Sequence, residues 1–260
     1  MIDLLVFCFG AIIGSFLNVV TLRLGTGESV VSGGSKCFSC GKKLKWTELV
    51  PIFSFLIQKG RCRKCKSKIS LQYPAVEILT GLIFFLIFNF QFSIINEFSI
   101  INFAKIFYLL AIAAFLILIA VYDYRHQIIP NLFVWLFNGL AFLNLFENWS
   151  LKIENFNVNG LLAGLILFIF FASLWFFSGG RWMGFGDAKL ALGIGWLLGI
   201  ANGIAAITLA FWIGAFVGIL LLYLSKNKYG LKSNIAFGPF MVLGTIISLF
   251  WGEKIISFLF

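Results

Sequence analysis

Residues 103–125 read FAKIFYLLAIAAFLILIAVYDYR, and the way this stretch begins and ends decides the fold. Between Lys105 and Asp123 there is no charged residue. The run 103–121, at about 1.5 Å per helical residue, extends roughly 28 Å, which matches the hydrocarbon thickness of a bilayer. The stretch therefore predicts a membrane-spanning helix, with Asp123 at its edge.

Working outward, further apolar stretches fall at 2–22, 75–95, 131–146, 158–177, 188–200, 203–224 and 237–251. Those at 131–146, 188–200 and 237–251 are short, and 188–200 abuts 203–224 across Ala201 and Asn202. The expectation is an all-α polytopic membrane protein with about eight transmembrane helices. Composition agrees: the 260 residues are 61% hydrophobic, with mean hydropathy +1.01 and 33 Phe against 10 Asp+Glu. A water-soluble globule of this size cannot hide so much apolar surface, whereas lipid tails solvate it. The run 2–20 lacks a basic leading segment and a small-residue cleavage site, so it reads as the first span and not as a leader.

The net charge of +10 does not point to nucleic acid, because half of the 20 Lys+Arg residues lie in one stretch, 25–72, and the rest mark loop ends. Lys and Arg in short loops stay in the cytosol. With the N-terminus outside, Arg23, the ten basic residues of 25–72, Arg125, Arg181, Lys189, Lys226, Lys228 and Lys232 lie inside, and only Lys105, Lys152 and Lys254 lie outside. That places the loop 25–72, Asp123 and Asp187 on the cytosolic side. No sequence repeat is apparent.

Within the loop stand Cys37, Cys40, Cys62 and Cys65, two C-x2-C pairs separated by 21 residues. Such pairs let four thiolates converge on one Zn2+, and a reducing compartment disfavours disulfides as the alternative. All four coordination positions would be filled by Cys, so the zinc is structural. It supplies folding energy that the small apolar set Leu44, Trp46, Leu49, Ile52 and Phe55 cannot. The lysines around it suit either the thiolate charge or anionic lipid heads. Cys8, in the first span, reads as a small packing residue.

Two acids stand where acids are expensive. Asp123 closes one span, and Asp187 opens another in Met183-Gly184-Phe185-Gly186-Asp187-Ala188-Lys189. Singly, Asp187 reads as a helix cap and Asp123 as a solvated loop residue. Together, at one membrane edge, they make a candidate carboxyl pair for acid–base hydrolysis, with Gly184 and Gly186 leaving room for backbone beside Asp187. Helix ends suggest a division of labour: an N-terminus favours a charged Asp187, and a C-terminus disfavours charge on Asp123.

Here a resemblance becomes specific. Gly184-Phe185-Gly186-Asp187 resembles the G-x-G-D motif of membrane aspartyl proteases, and Asp123 with Ile129-Pro130 resembles the partner motif of the type IV prepilin peptidases. The run 14–20 (GSFLNVV) with Arg23, the cysteine quartet, 73–77 (YPAVE) and 237–240 (FGPF) are similar to that family as well. The chain departs from it in carrying Arg125 and Asn131 where acids are common, and Gly25 where Pro is usual. The resemblance implies a bifunctional enzyme of the bacterial cytoplasmic (inner) membrane. It would cleave the basic leader of prepilins or pseudopilins through Asp123 and Asp187, and N-methylate the new N-terminal residue with S-adenosylmethionine as donor. Residues 1–95, with the first two spans and the loop 25–72, would be the methyltransferase part, and 100–260 the aspartyl peptidase domain.

Three further residues are candidates for substrate or motif support. Glu77, three residues after Pro74, has a helix-dipole explanation as well as an acid role implied by the resemblance. Asn18 and Arg23, toward the cytosolic end of the first span, fit interhelical hydrogen bonding and interfacial anchoring. His126, the one histidine, has no partner with which to build a Ser-His or metal site. An acid-lined transporter would show more polar residues deep in its spans, and a non-enzymatic zinc-loop scaffold would need the quartet but not the acid pair.

Overall fold

The computed structural model describes residues 2–94, 100–146, 156–224 and 235–259. Eight helices occur in chain order among these residues: α1 (Ile2–Arg23), α2 (Phe53–Ile57), α3 (Gln72–Ile94), α4 (Ile100–His126), α5 (Asn131–Leu143), α6 (Val158–Ser178), α7 (Phe185–Leu224) and α8 (Gly238–Leu259). A single 3-10 turn, Trp46–Glu48, precedes α2. The only extended pairing among the described residues is in isolated bridges, so the fold is all-α as expected.

Six helices, α1, α3, α4, α6, α7 and α8, are long and apolar enough to cross a membrane by length and composition. The eight apolar stretches of the sequence thus fall on seven helices. The stretch 131–146 forms the 13-residue α5, about 20 Å long and short of a full crossing. The stretches 188–200 and 203–224 join as the 40-residue α7, about 60 Å, or two hydrocarbon thicknesses. It is interrupted at Gly199 (φ 75°, ψ −176°), a conformation open essentially to glycine alone. Carbonyls on both sides of the break have side-chain donors: Asn144 Nδ2 donates to the Leu197 carbonyl at 3.0 Å, and Ser248 Oγ to the Asn202 carbonyl at 2.8 Å. A broken helix in lipid needs such partners, since no water is there to supply them.

The chain forms two compact units, 1–118 and 119–260. In the first, α1 packs on α3. Gly10 and Gly14 make this approach close: a Cβ on either would lie 2.9 Å from Gly81 Cα or Glu77 Cα respectively, the small-residue device of membrane helix pairs. The loop between α1 and α3 carries the cysteines. In the second unit, α5, α6 and α8 all pack on α7. Phe137, Phe171, Leu190, Ile194 and Met241 are fully buried there, so the ends of α4, α7 and α8 rest on a filled apolar interior.

Candidate active site and metal cluster

Asp123 lies in the last turn of α4 and Asp187 in the first turn of α7, and both are buried, at 5% and 8% exposure. Each carboxylate accepts one backbone N–H. Asp123 Oδ2 accepts from the Gly238 amide at 2.9 Å, and Asp187 Oδ2 from the Gly184 amide at 3.1 Å. Gly238 begins α8 and Gly184 immediately precedes α7, so both donors are among the orphan amides that every helix N-terminus exposes. Asp187, third residue of its helix, makes the reciprocal half of a capping box. The two carboxylates are near enough for the charge of Asp123 to act on Asp187. Among the described residues neither is in an ion pair.

This geometry changes the electrostatic asymmetry expected from helix ends. Asp123 does sit at the C-terminal end of α4, but α8 presents its N-terminus to the same carboxylate. Both acids therefore face a positive helix end, and position along the chain does not separate their roles. Lys189 is turned elsewhere: its Nζ donates to Asn131 Oδ1 at 2.8 Å and lies 5.1 Å from the centre of the Phe185 ring. Asn131 supplies there a neutral acceptor where the resembling family often has an acid. His126 stacks on Tyr122, ring centroids 4.4 Å apart.

Both glycines of the motif are close to site groups. A Cβ on Gly186 would lie 2.8 Å from Ile129 Cβ, and one on Gly184 would lie 3.4 Å from Asp187 Oδ2. Gly186 thus admits the Ile129-Pro130 segment against the start of α7, interlocking the two halves of the acid-pair motif. Gly238 escaped assignment from sequence. A Cβ there would lie 2.6 Å from Asp123 Oδ2; the signal was a Gly before Pro239 at a helix start, which marks an N-terminus but not what it faces.

The first unit holds the other candidates. Glu77 is buried, accepts the Ile52 amide on Oε2 at 2.7 Å and is bonded by the Ser15 side chain. Asn18 Nδ2 donates to the Gly14 and Tyr73 carbonyls, both at 3.3 Å, and its Oδ1 accepts from Gln72 Nε2 at 3.4 Å, tying α1 to α3. Arg23 donates to the carbonyls of Ser29, Ser32, Gly33 and Gly34 at 2.8 to 3.4 Å, so it folds the following loop around its guanidinium.

The four cysteines are free thiols whose sulfurs all lie within 4.8 Å of one another, a cluster that can hold a metal ion. The fold around them shows a 25-residue repeat that the sequence hides. In 35–44 and 60–69 the bridges Lys36–Lys43 and Arg61–Lys68 correspond. So do the bonds Cys37 N–H to Lys42 and Cys62 N–H to Ser67, both 2.9 Å, and Gly41 N–H to Cys37 and Lys66 N–H to Cys62, both 2.9 Å. Gly41 and Lys66 share positive φ, 68° and 59°. Few side chains other than the cysteines match, which is why the repeat is invisible before folding. Ser67 Oγ lies 3.1 Å from Cys65 Sγ and 3.7 Å from Cys37 Sγ.

Amides of Cys40 and Ser39, with the Ser67 hydroxyl, bring the Cys37 thiol down to about 6, and the Ser67 hydroxyl and amide lower Cys65. Cys40 moves the other way, to about 11: the Lys42 amide lowers it, but burial and the three neighbouring thiols outweigh that bond. The cluster thus prepares some thiolates and resists the last, the charge problem a cation resolves. Glu48 is held below the usual carboxylate range by the Lys45 amide and the Lys42 ammonium, at 3.0 and 2.9 Å.

Fold and site together define a polytopic helical membrane protein that gathers two acids where three helix ends meet and carries, between its first membrane helices, a four-thiol cluster able to hold a metal ion. Residues 8–91 match the bacterial peptidase A24 N-terminal domain, and residues 110–219 match the type IV leader peptidase family. Three curated relatives carry the name prepilin leader peptidase/N-methyltransferase. The one from Bacillus subtilis is 31% identical over 258 residues, 98% of this chain and 96% of its own. That from Vibrio cholerae is 28% identical over 92% of each chain, and that from Legionella pneumophila 32% identical over 86% of this chain and 74% of its own. The chain belongs to the type IV leader peptidase family. No solved structure matches it.

Proposed function

We propose that this chain is a prepilin leader peptidase and N-methyltransferase in which Asp123 and Asp187 cleave the leader. The observation that carries the reading is the pair itself: two buried carboxylates, from motifs 64 positions apart in sequence (123 and 187), each held by one glycine amide and, among the described residues, neither in an ion pair. One carboxylate takes a proton from water as the water oxygen attacks the peptide carbonyl carbon; the other carboxyl gives its proton to the carbonyl oxygen. The distribution of Lys and Arg supports a cytosolic position for the pair in the inner membrane, with the N-terminus outside. Replacing Asp123 or Asp187 by Asn should slow leader removal in membranes by at least about 100-fold while the protein remains inserted. Cleavage of a prepilin at near wild-type rate by both single variants overturns this reading.

For the metal cluster the reading is one structural Zn2+ per chain. Zinc bonded to four sulfurs at about 2.3 Å would hold them about 3.8 Å apart, and Cys37 Sγ and Cys65 Sγ are 3.8 Å apart. For the methyl donor, S-adenosylmethionine, the fitting residue is Glu77. Of the two buried acids of the first unit, Glu48 is paired with Lys42 at 2.9 Å, whereas Glu77 has no cation among the described residues. Bound there, the donor would supply the methyl group, and Glu77 would provide counter-charge to a cationic ligand or receive the proton that the pilin amine loses. With these assignments the methyltransferase part is read as residues 1–95 and the peptidase part as 100–260, whereas the compact units divide later, between Leu118 and Ile119.

A further inference from the structure

The loop between α1 and α3 leaves a stripe of large apolar side chains outside its own core, including Trp46 and Leu49, which were expected from sequence to lie inside it. Trp46 is 79% exposed, Phe53 62%, Leu56 63% and Ile57 69%, and Leu49 and Val50 are exposed between them. Within α2, Phe53, Leu56 and Ile57 share one face at spacings of three and four, while Glu48 and Cys62 lie inside the loop. A module bathed in water would not keep so contiguous an apolar surface without a partner.

The structure also says at what level this stripe lies. Ile52 is a β-branched residue at φ 64°, ψ −56°, and the Phe53 N–H reaches back to the Pro51 carbonyl at 2.6 Å. This is the positive-φ γ-turn, rare and strained, and such strain persists only where surrounding contacts over-determine it. The contact here is the Ile52 amide on Glu77 Oε2 at 2.7 Å. Glu77 lies five residues below Gln72, the first residue of α3, about 7.5 Å along the helix axis, with its side chain directed back toward the helix start. α2 begins at the next residue, Phe53. The turn thus fixes α2 beside the first turns of a membrane helix, in the 5–10 Å layer where interfacial segments bury their apolar faces. Charge fits the same location. Residues 25–72 carry ten Lys/Arg and two Glu, and those two are already bonded, Glu28 to Lys36 at 2.7 Å and Glu48 to Lys42 at 2.9 Å. The surplus of basic residues suits anionic head groups.

We infer that α2 and the turn before it form an interfacial contact with anionic lipid, Trp46, Phe53, Leu56 and Ile57 entering the boundary of the acyl chains and the surrounding lysines lying on phosphate. Full-length protein reconstituted alone, in vesicles containing a lipid photoactivatable near its head group, tests this by mass-spectrometric mapping of lipid adducts. Adducts should appear on residues 46–57 at a yield comparable with the exposed Leu4 and Leu5 of α1. The triple change Phe53→Ser, Leu56→Ser, Ile57→Ser should lower the 46–57 yield about fivefold, leaving α1 labelling and bound metal unchanged. Replacing phosphatidylglycerol by phosphatidylcholine should lower that yield about twofold at low salt and leave α1 labelling alone. Labelling of α1 with none on 46–57, or cross-links from 46–57 to a second copy in place of lipid, overturns the inference; labelling indifferent to lipid charge overturns its electrostatic half.

Discussion

Asp123 depends on a contact that its own neighbours in sequence cannot supply. Its carboxylate is oriented by the first amide of a helix that begins 115 residues later, and glycine is required there because a Cβ on residue 238 would stand 2.6 Å from Oδ2. Gly238→Ala should push the proposed acid off its position. A displacement of about 1 Å from productive geometry costs on the order of 100-fold in rate, so leader cleavage should fall by about that factor with insertion unchanged; a rate within about twofold of wild type would show that this amide does not orient the site. Asp123 and Asp187 were legible in sequence because an acid at the edge of an apolar span is conspicuous on energetic grounds. Gly238 was not, because the steric demand on it is tertiary. For the same reason the expected electrostatic difference between the two acids did not survive folding: the α4 and α7 ends were readable, the approach of α8 was not.

At the scale of elements, the cysteine spacing was sufficient to predict that the four thiols converge, but the paired knuckles, with their matching bridges and positive-φ residues 41 and 66, are backbone features with little side-chain signature. Removing zinc from such a module removes folding energy directly, of order 10 kcal/mol for small zinc domains. Metal analysis should therefore give one zinc per chain, and Cys62→Ser or a strong chelator should release it and expose the loop 25–72 to protease while α1 and α3 remain protected. A metal-free protein with an equally resistant loop would refute the assignment. The apolar runs were equally legible as spans, but their junction was not. Nothing in the local composition distinguishes two helices separated at Ala201 from one helix interrupted at Gly199, since the decision rests on φ and on donors from Asn144 and Ser248. Gly199→Ala imposes a side chain on a conformation reserved for glycine, at a cost of about 1–3 kcal/mol, and should lower the thermal midpoint of the protein in detergent. An unchanged midpoint would mean that the break adopts another geometry.

At the scale of the whole molecule, the two proposed activities draw on different compact units, one ending at Leu118 and the other beginning at Ile119. All the groups argued for cleavage, Asp123, Asp187, Gly184, Gly186 and Gly238, belong to the second. Glu77, Asn18, Ser15 and the four-cysteine cluster belong to the first. The boundary falls inside α4, a continuous apolar helix, so no change of composition announces it. If chemistry is divided as the units are, a change in one should silence one activity and spare the other. Glu77→Gln keeps the size of the side chain and an acceptor oxygen for the Ile52 amide, but removes the charge that a cationic donor or a deprotonating amine requires. Methyl transfer to a cleaved pilin should fall by at least about 100-fold, S-adenosylmethionine binding to the purified protein should weaken, and leader removal should stay within about twofold of wild type. Asp187→Asn should give the mirror image when it is supplied with an already cleaved pilin: no proteolysis, normal methylation. Loss of both activities in Glu77→Gln, with the loop still metal-loaded and protease-resistant, would show that the units do not work separately, and that the buried acid of the first supports the chemistry of the second.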